Sequence, residues 1–281
     1  MRIAILADIH GNLPALEAVL ADLEGLDADL VVVNGDFINR GPSNREVIER
    51  MWELEQTGRV RFTLGNHDDL VRRWAGRDPD LSDLYEDPLF RSTGWVAGQL
   101  EHPHLEWIAN LPHQVYLEES GLRIAHGSPR HYREGYDERL PDTAIQEIVQ
   151  EYPARTLVGS HTHRPYQRWQ GGTLVLGSGA VGSPFNGDPR AQYMLLEVSP
   201  GETRWEFRRV SYDVDAALRA FHDSGMLQEG GLGAHLFYLE LQTARSLLTP
   251  FWLWARANQL PPDWDSWRLF QQAFPERFRA R

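Results

Sequence analysis

The chain opens Met1-Arg2-Ile3-Ala4-Ile5-Leu6-Ala7-Asp8-Ile9-His10-Gly11-Asn12. An almost wholly apolar run of this length, followed by Gly11 and Asn12, reads as a buried strand that ends in a tight turn. Side chains alternate along a strand, so Asp8 and His10 are expected on the same side. A carboxylate and an imidazole at the mouth of a buried strand suit a core poorly and a metal site well. Alone, the pair also fits a turn aspartate beside a surface histidine, so the rest of the chain has to decide.

Moving outward, Leu13, Leu16, Val19, Leu20 and Leu23 follow helical spacing, with Pro14 near the first turn where it is tolerated. Asp29 to Val33 reads as a second buried strand running into Asn34-Gly35-Asp36. A βαβ pattern favours parallel strands whose carboxyl ends share one edge, so Asp36 is delivered to the edge that carries Asp8. A helix over 43–56, with Ser43 as N-cap, precedes a strand over 60–64 that ends in Gly65-Asn66-His67-Asp68. Turns favour Asn, Asp and Gly but do not ask for His, so three such strand ends point beyond structural turns.

Residues 72–113 are read as two or three short helices, in which His102, His104 and His113 are surface or packing residues. The strand-to-polar-turn pattern recurs at Leu122 to Ala125 before His126, and at Thr156 to Val158 before His161-Thr162-His163. A helix is expected around 141–152 and a strand at 173–176. An antiparallel pair is expected at 192–198 and 204–210, joined through Pro200-Gly201. Beyond Tyr212 the composition changes: helices are expected at 213–224, over 234–258 with an interruption at Pro250, and at 263–274. The boundaries implied are a main domain over 1–212 and a helical extension over 213–281, packed on it or forming an interface. Its Trp252, Trp254, Trp264 and Trp267, with Phe270 and Phe274, are read first as a face packed on the main domain, with a homo-oligomer interface or a lid as alternatives.

At 281 residues the chain can bury a large core. No apolar run approaches the roughly 20 residues that span a bilayer, and none has the layout of a signal peptide, so a cytoplasmic protein without a membrane partner is expected. There is no cysteine, which excludes disulfides and thiolate zinc sites and leaves His, Asp, Glu and Asn as ligands for hard or borderline divalent ions. Every basic residue is Arg, so no lysine nucleophile or Schiff base is available. A formal charge of −12 argues against broad nucleic-acid binding.

Read in order, Asp8-Ile9-His10, Gly35-Asp36, Gly65-Asn66-His67-Asp68, His126 and His161-Thr162-His163 resemble the calcineurin-like metallophosphoesterase superfamily. Its pattern runs D-x-H, G-D, G-N-H-[DE], a lone H, then G-H-x-H. The resemblance covers about residues 1–212. It is nearest the bacterial single-domain branch, through the HGSP and GDPRA stretches at Leu122 to Pro129 and Gly179 to Ala191. It implies an α/β fold of two packed mixed sheets flanked by helices. It also implies two divalent ions bridged by Asp36, one on Asp8, His10 and His163 and the other on Asn66, His126 and His161. Manganese is the first expectation, with Fe, Zn, Mg or Ni as alternatives. Such a pair can clamp a phosphoryl group and hold a hydroxide for in-line attack. The family role of His67 is to face the phosphate, with Asp68 expected to orient its ring. Asn66 and His67 are expected to touch substrate. Arg40 is a further expected substrate contact, since a guanidinium grips phosphate in two places, though it could pair with a local carboxylate. Asn39 stands where many members carry Asp, and Ser160 replaces the usual Gly. The activity implied is hydrolysis of a small phosphate ester, a monoester or nucleotide first. The alternatives are a cyclic-nucleotide or other phosphodiesterase and a non-catalytic scaffold.

Overall fold

The computed structural model describes residues 1–199 and 201–278. Its strands are β1 (Arg2–Leu6), β2 (Leu30–Asn34), β3 (Val60–Thr63), β4 (Gln114–Leu117), β5 (Leu122–Ala125), β6 (Thr156–Gly159), β7 (Pro165–Gln170), β8 (Thr173–Ser178), β9 (Ala191–Ser199) and β10 (Glu202–Val210). They form two mixed five-stranded sheets, ordered β10-β9-β1-β2-β3 and β4-β5-β6-β8-β7. Strands β1, β2 and β3 run parallel, as do β5, β6 and β8, so every strand end named above reaches one edge of the sandwich. Gly201 takes the left-handed backbone expected of the β9–β10 turn, and Pro200 lies outside the described residues.

The apolar run at the N-terminus is buried on both faces. Ile3 and Ile5 meet Leu122, Ile124, Val158, Leu174 and Leu176 between the sheets. Ala4 and Leu6 face the helices, among Leu16, Val19, Val47, Ile48 and Met51. A strand covered on both sides has no polar face to alternate, which is why its sequence reads as continuous hydrophobicity.

Four elements depart from expectation. β4 and β7 are short edge strands whose residues are half-exposed or exposed, and without a buried apolar run they are hidden in the sequence. The Gly65-Asn66-His67-Asp68 stretch is the first turn of a helix over Asn66–Ala75, so the helical coverage begins before residue 72. The long C-terminal helix breaks not at Pro250 but between Thr243 and Leu248, where Ala244 takes the left-handed conformation. Pro250 sits in the first turn of the following helix, Leu248–Ala257, where its missing N–H costs nothing. Ser43 precedes its helix without a side-chain cap bond, whereas Asp213 and Asp263 each accept from their helix's N3 N–H.

The Trp-rich residues mostly pack on one another and on the main body. Trp267, Phe270, Phe251 and Trp254 form an apolar cluster with Leu89 and Phe90. His104 is likewise a packing residue, stacked on Trp52 at 4.9 Å, while His102 is exposed. No helix among the described residues is long and apolar enough to cross a membrane.

Candidate metal centre

The loops that leave β1 and β2 are stitched together before any side chain is considered. Asp8 N–H donates to Gly35 O at 3.1 Å, His10 N–H to Asp36 O at 3.0 Å and Gly11 N–H to Phe37 O at 2.8 Å. On the other flank Val181 and Gly182 N–H donate to Ala7 and Asp8 carbonyls at 2.8 and 3.0 Å. Holding these side chains inward requires left-handed backbone at Asp8 (φ 53°), His10 (51°), Asp36 (56°), His161 (52°) and His163 (58°). Such a conformation costs an L-residue roughly 1–2 kcal/mol, so its recurrence at five strand-end residues marks a function rather than a convenience. Gly65 packs its Cα so close to Asp36 that a Cβ would meet the carboxylate.

Two groups of ligand atoms result. Asp8, His10, Asp36 and His163 converge in one, and Asp36, His126 and His161 in the other. Within them His163 Nε2 lies 3.4 Å from Asp8 Oδ1, His10 Nε2 3.7 Å from Asp36 Oδ2 and His126 Nε2 3.2 Å from Asp36 Oδ2. Asn66 Oδ1 joins the second group, 3.2 Å from His126 Nε2. The histidines are oriented through their other ring nitrogen. His10, His126 and His163 each set Nδ1 against a backbone carbonyl, of Ile38, Asn34 and Ser183, leaving Nε2 as the lone-pair atom inside.

The fit to divalent cations is tested by what is left unsatisfied. Both carboxylate oxygens of Asp8 and Oδ2 of Asp36 are buried without a hydrogen-bond partner. An uncompensated buried carboxylate is among the most costly groups in a protein interior, and a cation is its natural complement. Electrostatics agree. Burial pushes the Asp8 carboxyl well above the usual carboxylate range, against the opposing pull of His126. Burial also acts on Asp36, but His126 and His67 outweigh it and hold that carboxyl well below the range. Burial opposes charge on His126 too, yet Asp36 and Asp8 raise it to about 9. Burial keeps His10 and His163 well below the ordinary imidazole value, with His161 at about 4 and His67 at about 3.

Asp68 does not orient His67. Its carboxylate accepts backbone N–H bonds from Asp36, Phe37, Ile38 and Gly65 at 2.7–3.3 Å, and so shapes the loop that carries Asp36. Burial, with the Asp36 charge adding to it, pushes Asp68 up to about 8. The residue that reaches the His67 ring is Asn39, whose Nδ2 lies 3.0 Å from Nδ1. Arg40 lines the same cleft, but one of its amino groups pairs with Glu240, from the C-terminal helix Gly231–Thr243, and its guanidinium lies between Phe185 and Phe237. The carboxylate is thus not local but 200 residues away. Glu240 also accepts the N–H groups of Leu247 and Leu248 at 2.6 and 2.9 Å, capping the next helix. Beneath the centre Asn34 donates to Ala125 O and Ser160 Oγ at 2.9 and 2.8 Å and joins the two sheets, a use of Ser160 that a glycine could not supply.

A cleft of about 1480 Å³ opens over Asp36, Asn66, His67, His161 and His163. Its farther walls carry Arg133, Arg164 and Arg245, and the apolar Phe90, Leu248 and Trp252; among the described residues none of these arginines pairs with a carboxylate, though Arg164 donates to Phe185 O and Arg245 to Glu276 O and Arg277 O. Arg130, in contrast, is spent on Glu134 and Glu147. Asn34, Glu240 and Arg245 carried no local sequence signal.

Comparison with known proteins agrees with this geometry. The description "calcineurin-like phosphoesterase" matches residues 1–165. The chain is 25% identical over 232 residues to an uncharacterised protein of Methanocaldococcus jannaschii, covering 76% of this chain and 89% of that one. It is 28% identical over 206 residues to the phosphodiesterase YfcE of Escherichia coli, covering 69% of this chain and 87% of that one. The crystal structure of a metallophosphoesterase from Sphaerobacter thermophilus superposes with a TM-score of 0.68 at 25% identity, covering 87% of this chain and all of that one. The chain belongs to the calcineurin-like phosphoesterase family and is a metal-dependent phosphoesterase.

Proposed function

We propose that the protein hydrolyses a small phosphate ester at two divalent ions sharing Asp36, with Asp8, His10 and His163 holding one and Asn66, His126 and His161 the other. The observation that carries this is the pair of buried carboxylates with unsatisfied oxygens, facing histidine Nε2 atoms at the floor of an open cleft. Divalent ions held by these residues, manganese first, would neutralise charge at the phosphoryl oxygens and make a water acidic enough to act as nucleophile near neutral pH. The protein's own contribution is positional. Backbone carbonyls fix the tautomers of His10, His126 and His163, and the Asp36 carboxylate accepts the His67 N–H at 2.8 Å, seating the helix that carries Asn66. His67 presents its ring to the cleft as a hydrogen-bond donor for the transition state. Arg40, with Nε buried and unpaired, remains a candidate phosphate contact.

A phosphomonoester or nucleotide is the favoured substrate. Arg133, Arg164 and Arg245 have no carboxylate partner among the described residues, although Arg164 donates to Phe185 O and Arg245 to Glu276 O and Arg277 O; their charge suits anionic groups beyond the reacting one, and Trp252 with Leu248 offers an apolar wall for a base. The second reading, a phosphodiesterase, draws support from the similarity to a relative of that name. Manganese-loaded protein assayed on 4-nitrophenyl phosphate, bis(4-nitrophenyl) phosphate, nucleotides and cyclic nucleotides separates the two. Monoester or nucleotide cleavage is expected to dominate, and protein that cleaves none of them would overturn the catalytic reading in favour of a scaffold.

A further inference from the structure

Asn39 occupies a tightly specified place. It follows Asp36 on the same loop, with left-handed backbone at Asn39 (φ 68°) and again at Arg40 (69°). Its own N–H donates to Asn44 Oδ1 at 2.7 Å. The side chain is fully buried, and each of its polar atoms has a partner. Oδ1 accepts the Arg40 N–H at 2.9 Å, while Nδ2 faces Thr93 Oγ1 at 3.3 Å and His67 Nδ1 at 3.0 Å. These contacts fix which way the carboxamide points. Turned over, it would set an N–H against the Arg40 N–H, leaving two buried donors facing one another.

The oriented amide decides the state of the ring it touches. Nδ2 has only hydrogens to offer, so Nδ1 of His67 must present a lone pair. The ring proton then sits on Nε2, across the ring from Asn39. We infer that Asn39 is a positioning residue that locks His67 as the neutral Nε2–H tautomer, and that this suits the site to phosphate esters and anhydrides with acidic leaving groups. The inference rests on the phosphoesterase reading above. A carboxylate at this position would accept a proton from Nδ1 and stabilise an imidazolium, whereas the amide N–H repels a proton there. Water bonds to phosphorus, losing its proton to solvent, as the P–O bond to the ester oxygen breaks, and the electron pair of that bond leaves on the ester oxygen. The Nε2–H group stabilises that oxygen through a hydrogen bond, and solvent protonates it afterwards. Aryl oxides, phosphates and diphosphates tolerate departure as anions, and alkoxides do not.

The test has a readout that needs no turnover. In full-length protein labelled with ¹⁵N at histidine and loaded with diamagnetic zinc, long-range ¹H–¹⁵N correlation spectra distinguish protonated from unprotonated ring nitrogens. The His67 signals are identified by their loss in His67→Gln. We expect Nδ1 unprotonated and Nε2 protonated in the wild type, and a proton on Nδ1 in Asn39→Asp. A wild-type His67 carrying its proton on Nδ1 overturns the proposal, and that spectrum decides even where Asn39→Asp fails to fold. In kinetics, the preference for 4-nitrophenyl phosphate over glycerol phosphate is expected to narrow by about tenfold in Asn39→Asp. It should stay unchanged when the same substitution is made in a His67→Gln background. A preference unaltered by Asn39→Asp in an active enzyme also overturns the proposal. Protein that cleaves neither substrate counts against the monoester reading, and the spectra alone then decide the tautomer.

Discussion

At the residue scale, the centre is built from groups that a protein interior ordinarily avoids. Asp8 and Asp36 are fully buried, and their unsatisfied oxygens bring histidines rather than arginines around them. Asp36 belongs to both ligand groups. Asp36→Ala is therefore expected to empty both positions, read by elemental analysis, and a retained pair of ions would contradict the sharing. His67→Ala is expected to keep the metal and lower kcat by about 10²–10³, the usual cost of removing one donor to a developing charge. The histidines also give the metal-free protein a pH dependence. His10, His67, His161 and His163 all titrate below the ordinary 6.5 because burial disfavours their charged form. Below 6.5 the unfolded chain then binds more protons than the folded one, so stability is full above that value and falls as pH drops toward 4. His126, raised to about 9, acts oppositely and gives up its contribution between 6.5 and 9. The Asp8 and Asp68 carboxyls, which burial raises, also hold protons in the folded state and oppose the lowered histidines down to the ordinary carboxylate range. With four imidazoles lowered against these three raised groups, the net expectation is a melting temperature that drops between pH 6 and pH 4 without metal. Calorimetry with and without zinc checks it, and saturating metal should raise the curve by mass action.

At the element scale, the strand ends matter more than the strands. β1, β2, β5 and β6 are short, apolar and buried, and they could be exchanged for other buried strands without changing the architecture. What distinguishes β1, β2 and β6 is the left-handed residue that follows each, and for β1 the inter-loop N–H bonds that hold it. The helix at Asn66–Ala75 shows the limit of pattern reading. Its first turn carries Asn66, His67 and Asp68, which look like turn residues, and only the capping bonds to Asp68 and Asp36 reveal a helix start. The junction at Ala244 gives a clean prediction. Ala244 holds φ 50° at the end of its helix, a conformation that glycine adopts without steric cost. Ala244→Gly is expected to change stability by no more than a few tenths of a kcal/mol, or to raise it by up to about 1 kcal/mol. Urea unfolding checks it, and a loss of 1 kcal/mol or more would show that the Ala244 methyl contributes packing instead.

At the scale of the whole molecule, the C-terminal helices are not an inert appendage. Glu240 reaches Arg40 beside the metal centre and caps the helix whose residues form a wall of the cleft. A buried ion pair is weak evidence of stability, but removing one partner strands the other. Glu240→Ala is expected to cost about 3–5 kcal/mol, and Arg40→Met in the same background to recover much of it. Denaturant titration of the two variants checks this, and an equal loss in single and double variants would place the effect in the lost helix cap rather than in the stranded guanidinium. The same contact explains why the role of Arg40 was only half legible. A guanidinium beside Asp36 is visible in the sequence, but its partner lies 200 residues away, and nothing local to Glu240 announces it.

The sequence by itself carried the buried strands and the candidate ligand residues at their ends, and its resemblance to the family implied the two-sheet α/β architecture. Short apolar runs bounded by turn residues read as buried strands, and polar residues repeated at their ends have few structural uses. It could not determine which group orients His67. Asp68, next in the chain, is turned toward backbone N–H groups by its place in the helix cap, and Asn39 arrives from a neighbouring loop. Nor could it foresee β4 and β7, whose half-exposed residues carry no period, or the pairing of Arg40 with Glu240. Those features depend on which segments become neighbours after folding, and only the tertiary structure decides that.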